Sequence, residues 1–157
     1  FFTVYGPWGR PDMALFKFVD CIYNNKSIDV YNNGKMTRDF TYIQDIINGI
    51  ILIINSPFHS NFKISDLNFK TNQSNAPFHI YNIGNSKPIE LMDFIKIIEK
   101  HLQKKAKINF MPMQPGDVER TYASTELFQK THNYSSIFTP DEGIKNFIDW
   151  YLKYYND

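Results

Sequence analysis

Apolar residues along the chain fall into two rhythms. Leu15, Phe16, Val19, Ile22 and Tyr23 recur at helical spacing, with Lys17 and Asp20 on other faces. Leu91, Phe94, Ile95, Ile98 and Leu102 repeat that stripe behind Pro88, which is expected to open the helix. Ile144, Phe147, Ile148 and Tyr151 do so behind Pro140-Asp141-Glu142-Gly143. The run Ile46–Ile54 is apolar on most sides and predicts a buried helix, with Asp45 at its cap. A shorter helix is expected to reach Thr131, capped by Ser124 or Thr125. Between these lie short extended pieces: Phe1–Tyr5, Ile28–Tyr31, Arg38–Ile43, Phe78–Ile83 and Ile108–Met111.

Glycine, proline and asparagine punctuate the pattern. Gly6-Pro7-Trp8-Gly9-Arg10-Pro11-Asp12 is a stiff loop, with Asp12 placed to cap the helix that follows. Asn24-Asn25 stops that helix, and Asn32-Asn33-Gly34 is a turn. Pro112-Met113-Gln114-Pro115-Gly116-Asp117 forms a second stiff loop. The stretch 57–76 is polar and without a clean period, the mark of a surface loop. The chain opens at Phe1, inside a β-prone run, and we read it as the C-terminal part of something longer.

Composition narrows the classes. The 157 residues are 43% hydrophobic and 21% charged, which excludes a disordered or charged tail. A net charge of +1 gives no general attraction to nucleic acid or to a lipid surface. A single cysteine, Cys21, rules out an intrachain disulfide. Ile46–Ile54 is the longest apolar run, and Asn48 and Gly49 interrupt it well short of a bilayer's width.

The four histidines, at 59, 79, 101 and 132, are scattered and lack metal-ligand spacing. Arginine is more informative, because the chain has 14 Lys but only 3 Arg: Arg10, Arg38 and Arg120. Where lysine is so favoured, a surviving arginine points to a need for the planar fork that binds carboxylate or phosphate at two points. On the residues alone, each serves equally well as a surface ion-pair partner.

The stretch Phe1-Phe2-Thr3-Val4-Tyr5-Gly6-Pro7-Trp8-Gly9-Arg10-Pro11-Asp12-Met13-Ala14 closely resembles nucleotide-sugar epimerases of the extended short-chain dehydrogenase/reductase family. The resemblance continues through Gly34–Ile43, Tyr81–Asn85, Met113–Val118 and Asn146–Tyr151. The wording Trp8–Ala14 is most similar to members that epimerise UDP-glucuronate. The family implies an α/β fold. This chain would be the C-terminal portion of an extended Rossmann-type fold: the last strands of its parallel sheet plus the small substrate-binding lobe. It also implies that NAD takes hydride from sugar C4 and returns it to the other face of the 4-keto intermediate. The family's Tyr-x-x-x-Lys base has no counterpart here: Tyr31 and Lys35 have the spacing, but Asn33-Gly34 makes a turn where the motif needs a helix. The glycine-rich dinucleotide turn is absent as well. Catalytic groups, most of the NAD site and the homodimer contact are therefore expected upstream of Phe1, and the chain alone is expected to be inactive.

Carried over position by position, the resemblance places Thr3 and Arg10 beside the hexose and Phe2 near the nicotinamide. It places Tyr31 near uracil, Arg38 on the pyrophosphate and Asp117 on the ribose hydroxyls. Gln114 stands where some relatives carry a second phosphate-binding arginine. Tyr31 as plain core and Asp117 as a loop acceptor remain open alternatives. So do a related UDP-sugar decarboxylase or dehydratase and a non-catalytic sugar-nucleotide-binding remnant. The partners implied are a UDP-sugar and a second copy, with no nucleic acid or membrane, in the cytoplasm.

Overall fold

The computed structural model describes residues 1–56 and 79–156. The polar stretch 57–76 lies outside the described residues, as does Phe78. Strand β1 (Val4–Tyr5) leads through the proline loop into helix α1 (Ala14–Tyr23). Leu15, Val19 and Ile22 of the expected stripe are buried and Phe18 joins them, whereas Phe16 and Tyr23 are only part-buried. Asn24 caps its C-terminal end, and Asn25 takes a left-handed φ of 57°, which asparagine tolerates. The start differs from expectation. Met13 occupies the cap position without a side-chain bond, because the Asp12 carboxylate is turned back onto Arg10.

Strand β2 (Ser27–Val30) alternates exposed and buried, and it pairs in parallel with β6 (Lys107–Phe110). Tyr31 is not part of it: it opens the turn Tyr31–Gly34, whose Asn32 and Asn33 are left-handed. Asn32, Asn33 and Gly34 there hold φ of 50°, 49° and 80°. Gly34 is needed twice over, since a Cβ would also stand 2.8 Å from the Met92 sulfur. The piece expected over Arg38–Ile43 is two strands, β3 (Thr37–Arg38) and β4 (Thr41–Tyr42). β4 lies parallel to β1; β3 lies antiparallel to β5 (Ile89–Glu90). The strand expected over Phe78–Ile83 is not formed at residues 79–83, which carry no ladder. Pro88 precedes β5 rather than opening the helix, and α3 runs Leu91–Leu102.

Helix α2 (Ile43–Asn55) begins two residues before Asp45, so Asp45 is not its cap. The Asp45 side chain is instead buried and accepts from the Ile137 and Phe138 amides at 3.0 and 3.3 Å and from the Tyr134 hydroxyl at 3.3 Å. Burial, then Asp45, pushes that hydroxyl's pKa up to about 12. α2 is not buried all round either: Ile46 and Gly49 face inward, while Ile47, Ile51 and Ile54 are exposed. Thr125 sits at the N-cap of α4 (Glu126–His132) without capping through its side chain; its Oγ1 accepts from Gln129 Nε2 at 2.9 Å. The last helix, α5 (Pro140–Asn156), packs on α3, and α3 on α1. The core between them holds Phe94, Ile95, Ile98, Ile144, Phe147 and Ile148, with Phe40 stacked on Phe94 at 3.9 Å. A smaller cluster of Ile46, Ile83 and Phe128 lies under α2 and α4.

Candidate functional site

The parallel β2–β6 pair ends at Val30 and Phe110, and both chains then turn away at the same end. Crevices outside the carboxyl ends of parallel strands are where open α/β sheets hold ligands. The Met111 amide donates to Val30 at 2.9 Å, and the Asn33 amide to Met111 at 3.0 Å, tying the Tyr31 turn to the Met111–Asp117 loop. Tyr31 is half-buried and Gln114 exposed on these two segments. Gln114-Pro115-Gly116-Asp117 closes by the Asp117 amide to the Gln114 carbonyl at 3.2 Å. Pro115 in second place and Gly116 at φ 82° in third give the type II pattern.

Asp117 thereby meets an arginine 79 residues away. Arg38 Nη2 donates to Asp117 Oδ1 at 2.8 Å, and Nη1 donates to the Thr37 and Glu119 carbonyls at 3.1 Å each. The pair is largely sheltered, with 15% and 33% of the two side chains exposed. Thr37 N–H to the Glu119 carbonyl and Thr121 N–H to the Thr37 carbonyl, at 2.9 and 3.1 Å, zip the 119–121 segment along β3. Behind them Asp39 is fully buried: Oδ2 accepts from the Ser86 and Ala123 amides at 3.1 and 2.8 Å. The sequence did not single out Asp39 or the two carbonyls.

Thr3 and Arg10 come together at the proline loop; Phe2 does not join them. Thr3 and Arg10 line one pocket with Met13, Phe16, Phe40 and Phe147. Thr3 is half-buried, and its carbonyl accepts from the Thr41 amide at 3.1 Å. Arg10 is exposed, its side chain 76% open, and Nε donates to Asp12 Oδ1 at 3.0 Å while Nη2 meets Oδ2. Tyr5 lines the same pocket, but burial, then Tyr42, pushes its hydroxyl pKa up, which suits packing and not a base. Phe2 is half-buried against Gly84. Arg38 and Phe40 are two positions apart, roughly 7 Å of extended chain, so one short segment runs from the Arg38–Asp117 pair to the Thr3–Arg10 pocket.

Residues 1–84 match the NAD dependent epimerase/dehydratase family. The chain belongs to that family. Protein CapI of Staphylococcus aureus is 48% identical over 155 residues, covering 99% of this chain and 46% of that protein. A probable UDP-glucuronate 4-epimerase of Rhizobium meliloti is 44% identical over 156 residues, again 99% and 46%. The chain thus spans less than half the length of these curated relatives. Among solved structures, UDP-glucuronic acid 4-epimerase of Bacillus cereus, in complex with UDP-glucuronic acid and NAD, superposes with a TM-score of 0.81 at 28% identity. That match covers 98% of this chain and 44% of the other. A dTDP-glucose 4,6-dehydratase of Bacillus anthracis reaches 0.77 at 18% identity, which shows the fold alone. The fold of this family member is accordingly the α/β, Rossmann-type fold of extended dehydrogenase/reductase enzymes. No helix among its described residues is long and apolar enough to cross a membrane.

Proposed function

We propose that this chain is the substrate-binding part of an NAD-dependent UDP-sugar 4-epimerase, with UDP-glucuronate as the sugar nucleotide it takes. The observation that carries the reading is the Arg38–Asp117 pair, sheltered and set at the carboxyl end of a parallel strand pair. Arg38 is already aimed by three oxygen acceptors. Its Nε–H, and the Nη2 that faces the Met36 sulfur at 4.0 Å, are the donors a diphosphate oxygen takes. Asp117 accepts from the ribose hydroxyls, and Tyr31 offers a face to uracil. Gln114 donates to the diphosphate without adding charge. Thr3 and Arg10 receive the sugar carboxylate as hydroxyl and guanidinium.

NAD, when bound, supplies hydride exchange at sugar C4. Of this chain's residues only Phe2 is assigned to the nicotinamide, and the sequence holds no glycine-rich strand–helix turn to cradle a dinucleotide. In this reading the chain by itself is inert, and the longer protein works in the cytoplasm as a homodimer. A decarboxylase or dehydratase would share the fold; the Rhizobium meliloti relative named a probable UDP-glucuronate 4-epimerase at 44% identity and the Bacillus cereus epimerase structure at 28% favour the epimerase.

Titration of UDP against the protein and its Arg38→Lys variant tests the reading. Lysine keeps the charge and loses the fork, so affinity should weaken by about 1–3 kcal/mol, the range for hydrogen bonds to charged groups. Equal affinity in parent and variant would remove the diphosphate from Arg38 and overturn the assignment.

A further inference from the structure

Gly6-Pro7-Trp8-Gly9 is closed by the Gly9 amide donating to the Gly6 carbonyl at 3.1 Å. Pro7 fills the second position and Trp8 the third, at φ 63°. A left-handed third position favours Gly or Asn, because a Cβ there crowds the backbone. A large aromatic residue is among the least suited to it. Burial does not account for the choice, since Trp8 is 71% exposed. What the indole has is aromatic neighbours on α5. Its ring centre lies 4.9 Å from Tyr154, edge to face, and 5.3 Å from Trp150. Those two rings are stacked on each other at 5.5 Å. Outliers of this kind persist where the surroundings hold them and where the geometry serves a site.

The segment has little slack. A second turn, Arg10-Pro11-Asp12-Met13, follows at once, closed by the Met13 amide to the Arg10 carbonyl at 3.1 Å. α5 also grips the strand before the loop: a Cβ on Gly143 would stand 2.3 Å from the Tyr5 hydroxyl. Gly143 and Trp150 are two helical turns apart, roughly 10 Å. The helix therefore holds the β1 loop at Tyr5 and again at Trp8, immediately before the turn that carries Arg10.

We propose that Trp8 is a positioning residue: it latches the Gly6–Met13 loop onto Trp150 and Tyr154 of α5 and so fixes where the Arg10 guanidinium stands. This rests on the reading that Arg10 receives the sugar carboxylate. Among the described residues the exposed Arg10 side chain is paired with Asp12 in its own loop, and that pair does not tie the loop to the body of the protein. Ordering a loop during binding lowers affinity, and a latch does the ordering beforehand. The effect belongs to the sugar end of the ligand alone.

Trp8→Gly and Trp8→Phe variants of the protein separate the possibilities. Glycine suits the turn, so Trp8→Gly should fold and melt like the parent. Hydrogen exchange at the Gly9–Met13 amides should speed up. Affinity for UDP-glucuronate should fall by about 2- to 10-fold, affinity for UDP should hold, and Trp8→Phe should restore most of the difference. Unchanged exchange in Trp8→Gly would overturn the latch whatever the ligand data say. Faster exchange with an unchanged ratio of UDP-glucuronate to UDP affinity would overturn its role in placing Arg10. A parent protein that binds UDP and UDP-glucuronate equally would instead overturn the carboxylate reading of Arg10, and the exchange data would still decide the latch.

Discussion

The two ends of the candidate site are built in opposite ways. At the Arg38 end, an ion pair is part-buried and closes a separation of 79 residues. Backbone carbonyls and the zipped Thr37–Thr121 segment hold it. At the Arg10 end, the partner is two residues away and both side chains stand in solvent. The same chemistry, guanidinium against carboxylate, is a tertiary fixture in one place and a local one in the other. The charges of the Arg10–Asp12 pair are screened by water and salt, so its position depends on the loop rather than on its own attraction. Two turns with proline in second place draw the same contrast. Gly116 sits in the third position with no described residue within 4 Å of where a Cβ would be, so the turn asks for its conformation. Trp8 takes that position against its own preference, at about 1–2 kcal/mol.

The comparison breaks most sharply at Asp39. Asp39→Ala leaves the Ser86 and Ala123 amides without their acceptor and should lower stability by about 2–4 kcal/mol, read from denaturant unfolding. If the loss is under half a unit on that scale (~0.5 kcal/mol), the buried carboxylate does not hold the Arg38 end together. Asp117→Ala should come next, at about 1–3 kcal/mol, because it strands a sheltered guanidinium that keeps two carbonyl acceptors.

The α3–α5 contact gives an intermediate case with a pH signature. Lys100 first, and then His101, holds the Asp141 carboxyl below the usual carboxylate range. A folded pKa below the unfolded one means the ionised form favours folding. That contribution is complete above about pH 4 and is lost as pH falls through the lower folded value. The melting temperatures of the parent and Asp141→Asn should therefore differ at pH 7, and the gap should narrow as pH falls below about 4; a gap that stays constant into strong acid would remove the pair from the stability of the fold. Asp12→Asn should do least. Its melting temperature should match the parent at any salt concentration, whereas a clear loss at low salt would make the Arg10 end as structural as the Arg38 end.

Much of the scaffold was legible because it depends on local period. The stripes of α1, α3 and α5 and the alternation of β2 are written in side-chain spacing, and the buried residues follow them. The turn at Asn32–Gly34 was legible because left-handed backbone restricts the residues allowed there. Asp12 and Asp45 were misplaced for one reason. A carboxylate ahead of or within a first turn reads as a cap, but each was claimed by a stronger donor: Arg10 beside it, or amides and a hydroxyl some 90 residues away. Residues 79–83 form no strand although their apolar content reads as one, because content alone does not encode a ladder. Arg38 and Asp117 were legible as separate residues; that they meet was not, because no spacing encodes a contact so distant in sequence.

That distance has a kinetic meaning. Arg38 to Asp117 and Asp39 to Ala123 close loops of 79 and 84 positions, whereas α1 folds back on β2 through neighbours in sequence. Long loops are closed late, after the chain has already lost most of its freedom elsewhere. The Arg38–Asp117 contact, proposed to take a nucleotide, should thus form late in folding. A ligand seated on both Arg38 and Asp117 would bind only chains that have completed it. Such a ligand acts as a staple across contacts distant in sequence, drawing nearly finished molecules into the native population by mass action.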